Sequence, residues 1–151
     1  MDLKTCAENG NLEGVKNCLN NGSDIHFNYD RALRSAAQRG HLEIVKYLLE
    51  NGAYIHAQDD GALRSSAGYG HIEIVKYLLE NGANIHANND GALRWSAYEG
   101  HLEIVKYLLQ NGADIHAGDG ALRLATRNNK QDVVDFLTNL NPITRIKSAK
   151  K

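Results

Sequence analysis

Cysteine, proline and tryptophan are scarce in this chain of 151 residues, and each scarcity excludes something. Two cysteines, Cys6 and Cys18, are too few for a disulfide framework, and free thiols in a reducing compartment are the expected reading. The single proline, Pro142, falls close to the C-terminus. No apolar run approaches the roughly 20 residues needed to span a bilayer. The opening residues MDLKTCAENG lack the apolar stretch of a signal peptide, so an intracellular, cytoplasmic location is expected. A formal net charge of −1 argues against a general nucleic-acid or anionic-membrane binder, which carries a basic excess. Also missing are a glycine-rich phosphate loop, a Cys/His pairing tied to one segment, and paired carboxylates on a shared face. Neither an enzyme nor a cofactor is therefore expected.

What is present is repetition. The segment HLEIVKYLLENGAYIHA at 41–57 recurs as HIEIVKYLLENGANIHA at 71–87 and HLEIVKYLLQNGADIHA at 101–117, thirty residues apart each time. Self-similarity at that period marks a stacked array in which each unit buries its apolar face against its neighbours. Aligning Leu3, Leu33, Leu63, Leu93 and Leu122 gives five units, about 1–29, 30–59, 60–89, 90–118 and 119–141, followed by a basic tail at 142–151. The first and fifth are degenerate, as end units with one open face should be. Gly14 and Cys18 replace Ile44 and Leu48 in the first, and Gln131 and Thr138 replace Leu102 and Leu109 in the fifth. Cys6 aligns with Ala36, so both cysteines occupy apolar positions of the repeat.

Each unit reads as two helices. In the longer one, Leu42, Ile44, Val45, Leu48 and Leu49 share one side, while Glu43, Lys46 and Glu50 form a polar stripe on the other. Lys46 and Glu50 are spaced as an i,i+4 pair, Tyr47 lies on the border, and Gly52 follows where a left-handed residue is wanted. The shorter helix comes first in each unit. Asp60 is placed as its N-cap and Gly70 as its stop. Ala62, Leu63, Ser66 and Ala67 form its packing side, leaving Arg64, Ser65, Gly68 and Tyr69 to face away.

The wording G-H-L-E-I-V-K-Y-L-L-E-N-G-A-x-I-H-A, three times in register, resembles the second helix and loop of the ankyrin repeat family, over about 1–140. The fold this implies is all-α: helix–turn–helix units joined by β-turn fingers and stacked into a curved solenoid. The family's usual T-P-L-H is here Arg31-Ala-Leu-Arg34, Gly61-Ala-Leu-Arg64, Gly91-Ala-Leu-Arg94 and Gly120-Ala-Leu-Arg123, so capping falls to Asp30, Asp60, Asp90 and Asp119. The thirty-residue period is shorter than the family's 33, so the fingers should be stubby. The wording is also similar to ankyrin repeats abundant in giant DNA viruses of amoebae, which implies a host-cell cytoplasm and a host partner.

Seven histidines recur in two ladders, His26, His56, His86 and His116 with His41, His71 and His101. Stacked helices lie ~8–10 Å apart, whereas zinc needs each ligand nitrogen ~2.1 Å away. The ladders are read as structural hydrogen bonding, not metal; the resemblance adds hydroxylation of the loop histidines as a minor alternative. Arg34, Arg64, Arg94 and Arg123 form a third ladder that could grip an acidic or phosphorylated peptide. An aspartate four residues earlier in each unit favours internal pairing instead.

Differences between units concentrate on the outward side of the short helix, in the sets Ser35/Ser65/Trp95/Leu124, Gln38/Gly68/Tyr98/Arg127 and Arg39/Tyr69/Glu99/Asn128. A constant scaffold with a diversified face points to recognition, and Trp, Tyr and Arg are favoured anchors. The expected function is a non-enzymatic protein–protein interaction module, monomeric, binding a partner protein on its concave face through Gln38, Arg39, Tyr69, Trp95, Tyr98, Glu99, Arg127 and Asn128. Neither nucleic acid nor membrane is expected as a partner. The alternatives are a recently duplicated array with no dedicated partner, in which Trp95 packs on the fifth unit through Leu124, and an adaptor to a host degradation machine. The tail PITRIKSAKK is read as solvated, with nuclear import as its alternative role.

Overall fold

A computed structural model describes residues 1–140; the basic tail lies outside the described residues. Ten helices among the described residues form five pairs: α1 (Leu3–Glu8) and α2 (Leu12–Asn20), α3 (Phe27–Arg39) and α4 (Leu42–Glu50), α5 (Ala57–Gly68) and α6 (Ile72–Glu80), α7 (Ala87–Glu99) and α8 (Leu102–Gln110), α9 (Ala121–Arg127) and α10 (Gln131–Leu140). The first of each pair keeps the name short helix, although in α3, α5 and α7 the range takes in the left-handed finger residues and the regular part is about as long as the second helix. No strand occurs among the described residues. Each pair is one unit, and a single apolar core runs through all five. Small side chains at Ala36, Ala67, Ala97 and Ala125 let successive short helices lie closely against one another, all four being fully buried. Leu48, Leu78 and Leu108 fill the space between short and long helices, each burial contributing about 2 kcal/mol. Neighbouring long helices meet at only a few residues, so the stack curves with the short helices inside.

The long helices end as the glycines foretell. Ala53 N–H donates to Leu48 C=O at 2.9 Å and Gly52 N–H to Leu49 C=O at 3.2 Å, with Gly52 at φ 97°. Their polar stripe is wired differently from expectation. Lys46 bonds Glu43 at 3.0 Å, not Glu50, and lies 5.8 Å over the Tyr77 ring of the next unit. Lys16, Lys76 and Lys106 sit likewise over Tyr47, Tyr107 and Phe136. The ammonium thus favours a ring across the stack over a second carboxylate on its own helix.

The fingers hold the main departure. Asp30, Asp60 and Asp90 are not extended N-cap residues: each closes a run of three left-handed residues, with φ of 53°, 53° and 51°. All residues of these runs except Tyr29 and Gln58 are Asn or Asp, the non-glycine types that tolerate this region. The turn carries each carboxylate away from its own helix end toward the next finger. Asp30 accepts from Tyr54 N–H at 2.7 Å, Asp60 from Asn84 N–H at 2.8 Å, and Asp90 from Asp114 N–H at 2.8 Å. Each carboxylate also meets its own finger's histidine, His26, His56 or His86, at 3.1 Å to Nδ1. The aspartates are buried, and the fingers are chained edge to edge through them.

Candidate functional site

On the inner side, the expected pairing of arginine with the aspartate four residues earlier occurs at Arg123 and Asp119, exposed and 3.6 Å apart. Elsewhere the left-handed turn has taken the aspartate away, and the arginine folds back on its own finger. Arg34 Nε donates to Tyr29 C=O at 3.3 Å and its Nη2 to Asn28 C=O at 3.0 Å. Arg64 repeats this with Asp59 at 3.1 Å and Gln58 at 2.7 Å. Their stems cross Gly61 and Gly91, where a Cβ would come within 2.7 Å of Cδ. Burial, then the neighbouring charges of Arg31 and Arg64, press Arg34 below the ordinary guanidinium value.

Arg94 breaks the series. Its Nη2 reaches Asn88 C=O at a long 3.4 Å, and its Nε is buried with no partner among the described residues. The finger beyond it is one residue shorter, and the Arg94 head rests against Gly118 instead of Gly120, the counterpart of Gly61. Beside it opens a groove of about 340 Å³ lined by Arg64, Asn88, Arg94, Trp95, Tyr98 and Leu124 together with Gly91.

The eight residues read from the sequence as a binding set separate into groups. Trp95 and Tyr98 line the groove, and Tyr69 meets the Trp95 ring edge-on, with centroids 6.3 Å apart and planes at 81°. The indole lies on Gly68, where a Cβ would stand 2.9 Å from the ring carbons. Gly68 is therefore buried under tryptophan and does not face solvent, and Trp95 rests on the third unit as well as bordering Leu124. Trp95 still keeps 41% of its surface exposed, and Tyr69 51%. Arg39 is tied to Glu8 of the first unit at 3.0 Å. Asn128 donates to Tyr98 C=O at 2.7 Å. Gln38 gives only its backbone carbonyl to His71, while Glu99 and Arg127 are exposed and lie outside the groove.

Six of the seven histidines are used inside the array; the His116 ring is exposed and makes no side-chain hydrogen bond among the described residues, contrary to the structural role expected of it. His41, His71 and His101 reach back through Nε2 to the carbonyls of Glu8, Gln38 and Gly68, at 3.0, 2.9 and 2.9 Å. Their rings cover Gly10, Gly40 and Gly70, the left-handed glycines that end the preceding short helices. Among the described residues no group of three or more His, Cys, Asp or Glu side chains is placed to hold a metal ion. No helix among them is long and apolar enough to cross a membrane.

Ten helices in pairs, left-handed fingers and a histidine reaching back to the previous unit describe one kind of array, and the family comparison agrees. The model for ankyrin repeats matches three times, at residues 3–89, 60–119 and 86–147. The chain belongs to the ankyrin repeat family. Repeats of this family generally serve as protein–protein interaction modules and are typically scaffolds, not catalysts. A comparison with curated proteins finds no match.

The ankyrin array also exposes aromatic side chains away from the short-helix face. Phe27, Tyr29 and Tyr54 stand on the fingers at 70%, 67% and 56% exposure, with Tyr54 edge-on to His56 at 5.4 Å. Their signal was available in the sequence: Tyr54 stands where the other units carry Asp24, Asn84 and Asp114. At the first unit Cys6 and Cys18 lie 4.0 Å apart between Sγ atoms. Burial, followed by the neighbouring thiol, raises Cys6 above the ordinary cysteine value, which keeps it protonated and unreactive. Cys18 is only half-buried, and its thiol donates to Met1 C=O at 3.3 Å.

Proposed function

We propose that this ankyrin array is a non-enzymatic interaction module that binds a partner protein on its concave side, at the junction of the third, fourth and fifth units. One observation carries the reading: an exposed Tyr69–Trp95 pair opens onto the groove lined by Tyr98, Arg64 and Arg94. Large amphipathic rings already held in place lose little freedom on binding, and such anchors dominate interface energetics. On the resemblance of the repeat wording to viral arrays, the partner proposed is a host protein, met in the host cytoplasm.

A pull-down from cell lysate comparing wild type with Trp95→Ala/Tyr98→Ala tests this. A partner held by wild type and lost by a variant of unchanged helicity is the expected result. The second reading, a duplicated array without a dedicated partner, is favoured by the internal use of Arg39 and Asn128. Capture of the same proteins by both forms would support it and remove the groove from consideration.

A further inference from the structure

The charge of the chain is near zero overall but unevenly placed. Every arginine among residues 1–140 lies on a short helix, on the concave side, whereas the long helices α4, α6 and α10 carry an acidic excess. The acids that accompany the arginines are largely committed: Asp30, Asp60 and Asp90 are buried in the finger chain, and Glu8 is shared by Lys4 and Arg39. Asp59, Glu99 and Asp119, on the same short helices and fingers, remain exposed, so the inner surface is mixed in charge and the case for an acidic partner rests on Arg94. Within that surface one guanidinium is singled out. Arg34 and Arg64 each spend two donors on finger carbonyls, while Arg94 keeps a single long bond and a buried Nε without an acceptor.

We propose that the groove beside Arg94 recognises an acidic, extended segment of a protein, with one Asp or Glu carboxylate on the Arg94 guanidinium and a neighbouring apolar or aromatic side chain against Trp95 and Tyr98. The inference rests on the concave-face reading and gives that face its ligand chemistry. A planar guanidinium with free donors matches a carboxylate in a two-bond fork. Turning Arg94 outward sacrifices only its 3.4 Å bond, whereas turning Arg34 or Arg64 would break two. Gly118, which adds no side chain beside the Arg94 head, leaves that movement unobstructed. The same facts disfavour a nucleic-acid backbone. Phosphate tracking needs a row of free cations, and here Arg34 and Arg64 are pinned to carbonyls while Arg39 and Arg123 are paired with Glu8 and Asp119.

The test is selection of a random peptide library displayed on phage against the wild-type protein, followed by titration of the selected peptides using the fluorescence of Trp95, the only tryptophan. Selected peptides should share an Asp or Glu next to an apolar or aromatic residue. Replacing that acid by its amide should weaken binding about tenfold or more, as should Arg94→Gln, and the two changes together should cost little more than either alone. Arg64→Gln should cost less. Peptides without an acid that still perturb Trp95 would overturn the acidic-ligand inference and leave the concave-face reading standing. Peptides that bind Trp95→Ala/Tyr98→Ala as well as wild type would overturn both. Arg94-dependent binding of single-stranded poly-dT at comparable affinity would replace the peptide with a nucleic acid, and enrichment of no sequence would sink the inference outright.

Discussion

Asp60 should be among the most expensive polar side chains to remove from the middle of this array. It is 3% exposed, accepts from Asn84 N–H at 2.8 Å and meets His56 Nδ1 at 3.1 Å. Asp60→Ala leaves the Asn84 donor without its acceptor, a loss of about 1–3 kcal/mol. The same change puts a β-carbon without a helping polar group at φ 53°, adding about 1 kcal/mol. Together these give about 2–4 kcal/mol. Asp60→Asn keeps a carbonyl oxygen in the same place and tolerates the left-handed region. It loses only the charge-assisted part of the two bonds, about 1 kcal/mol. Urea unfolding followed by circular dichroism, with Trp95 fluorescence as a second probe, measures both. Because stability in a stacked array is a sum of unit and interface terms, the probes should still coincide for Asp60→Asn. They should separate for Asp60→Ala if the finger chain carries coupling between units. An Ala variant within about 0.5 kcal/mol of wild type, or an Asn variant as damaged as Ala, would refute the argument that these carboxylates tie finger to finger.

Two further perturbations probe the ends of the same logic. Gly68 has helical geometry, so alanine there should gain about 0.5–1 kcal/mol of helix propensity, but its Cβ would meet the Trp95 ring at 2.9 Å. Gly68→Ala should therefore be neutral or destabilising in wild type, with a shifted Trp95 emission, and stabilising once Trp95→Ala has removed the ring; additivity of the two changes would contradict the contact. Glu8 is held below the ordinary glutamate range by Lys4 and then Arg39. A depressed carboxylate stabilises the fold above its ordinary value, about pH 4.3, and loses that contribution as pH falls through the folded value. Glu8→Gln should thus lower the unfolding midpoint at neutral pH, and the gap to wild type should close on acidification; a gap that persists in acid would show that lost packing, not charge, is responsible.

The repeat period, the helix pair and the core positions were legible because each follows from one dimension of the sequence. Period-three-and-four apolar spacing builds Ile44, Val45 and Leu48 into the core wherever the helix goes, and glycine after the helix predicts the turn at Gly52. The finger was not legible. Asp60 before a short helix reads as a cap, and only three consecutive left-handed residues send its carboxylate elsewhere. Nothing in residue spacing announces such a run, although the crowding of Asn and Asp there is its compositional trace. With Asp60 displaced, the predicted pairing with Arg64 had to fail, and Arg64 turned to Asp59 and Gln58. The Lys46–Tyr77 contact was hidden for a related reason: intra-helix spacing sees Glu50, while the partner that matters lies one unit away.

Variation between units need not mean recognition, and several variable positions turn out to answer one another. Cys6 is bulkier than Ala36, and Gly14, whose Cβ would stand 2.7 Å from Cys6 Sγ, is smaller than Ile44. Trp95 is accommodated by Gly68, where its neighbours have Gln38 and Tyr98. In the fifth unit Lys130 replaces the reaching histidine; its stem covers Gly100 as the rings cover Gly40 and Gly70, and Asn128 supplies the lost hydrogen bond to Tyr98 C=O. Arg39 is answered by Glu8. Once these compensated pairs are set aside, few large side chains on the inner face lack an internal partner. They are the outer edges of Tyr69 and Trp95, the flank of Tyr98, the exposed Arg31, Glu99 and Arg127, and a loosely held Arg94. All but Arg31 and Tyr69 belong to the fourth and fifth units, next to the one finger shortened by a residue. The shorter finger sets Gly118, not Gly120, against Arg94, and there the head lies nearer than the stem: a Cβ would stand 2.8 Å from Nη1 and 3.2 Å from Cδ, whereas at Gly61 and Gly91 it would stand 2.7 Å from the Cδ of Arg34 and Arg64. The irregularity in the period and the loosely held guanidinium are in this view one feature, and the face proposed to bind a partner lies where the repeat is least regular.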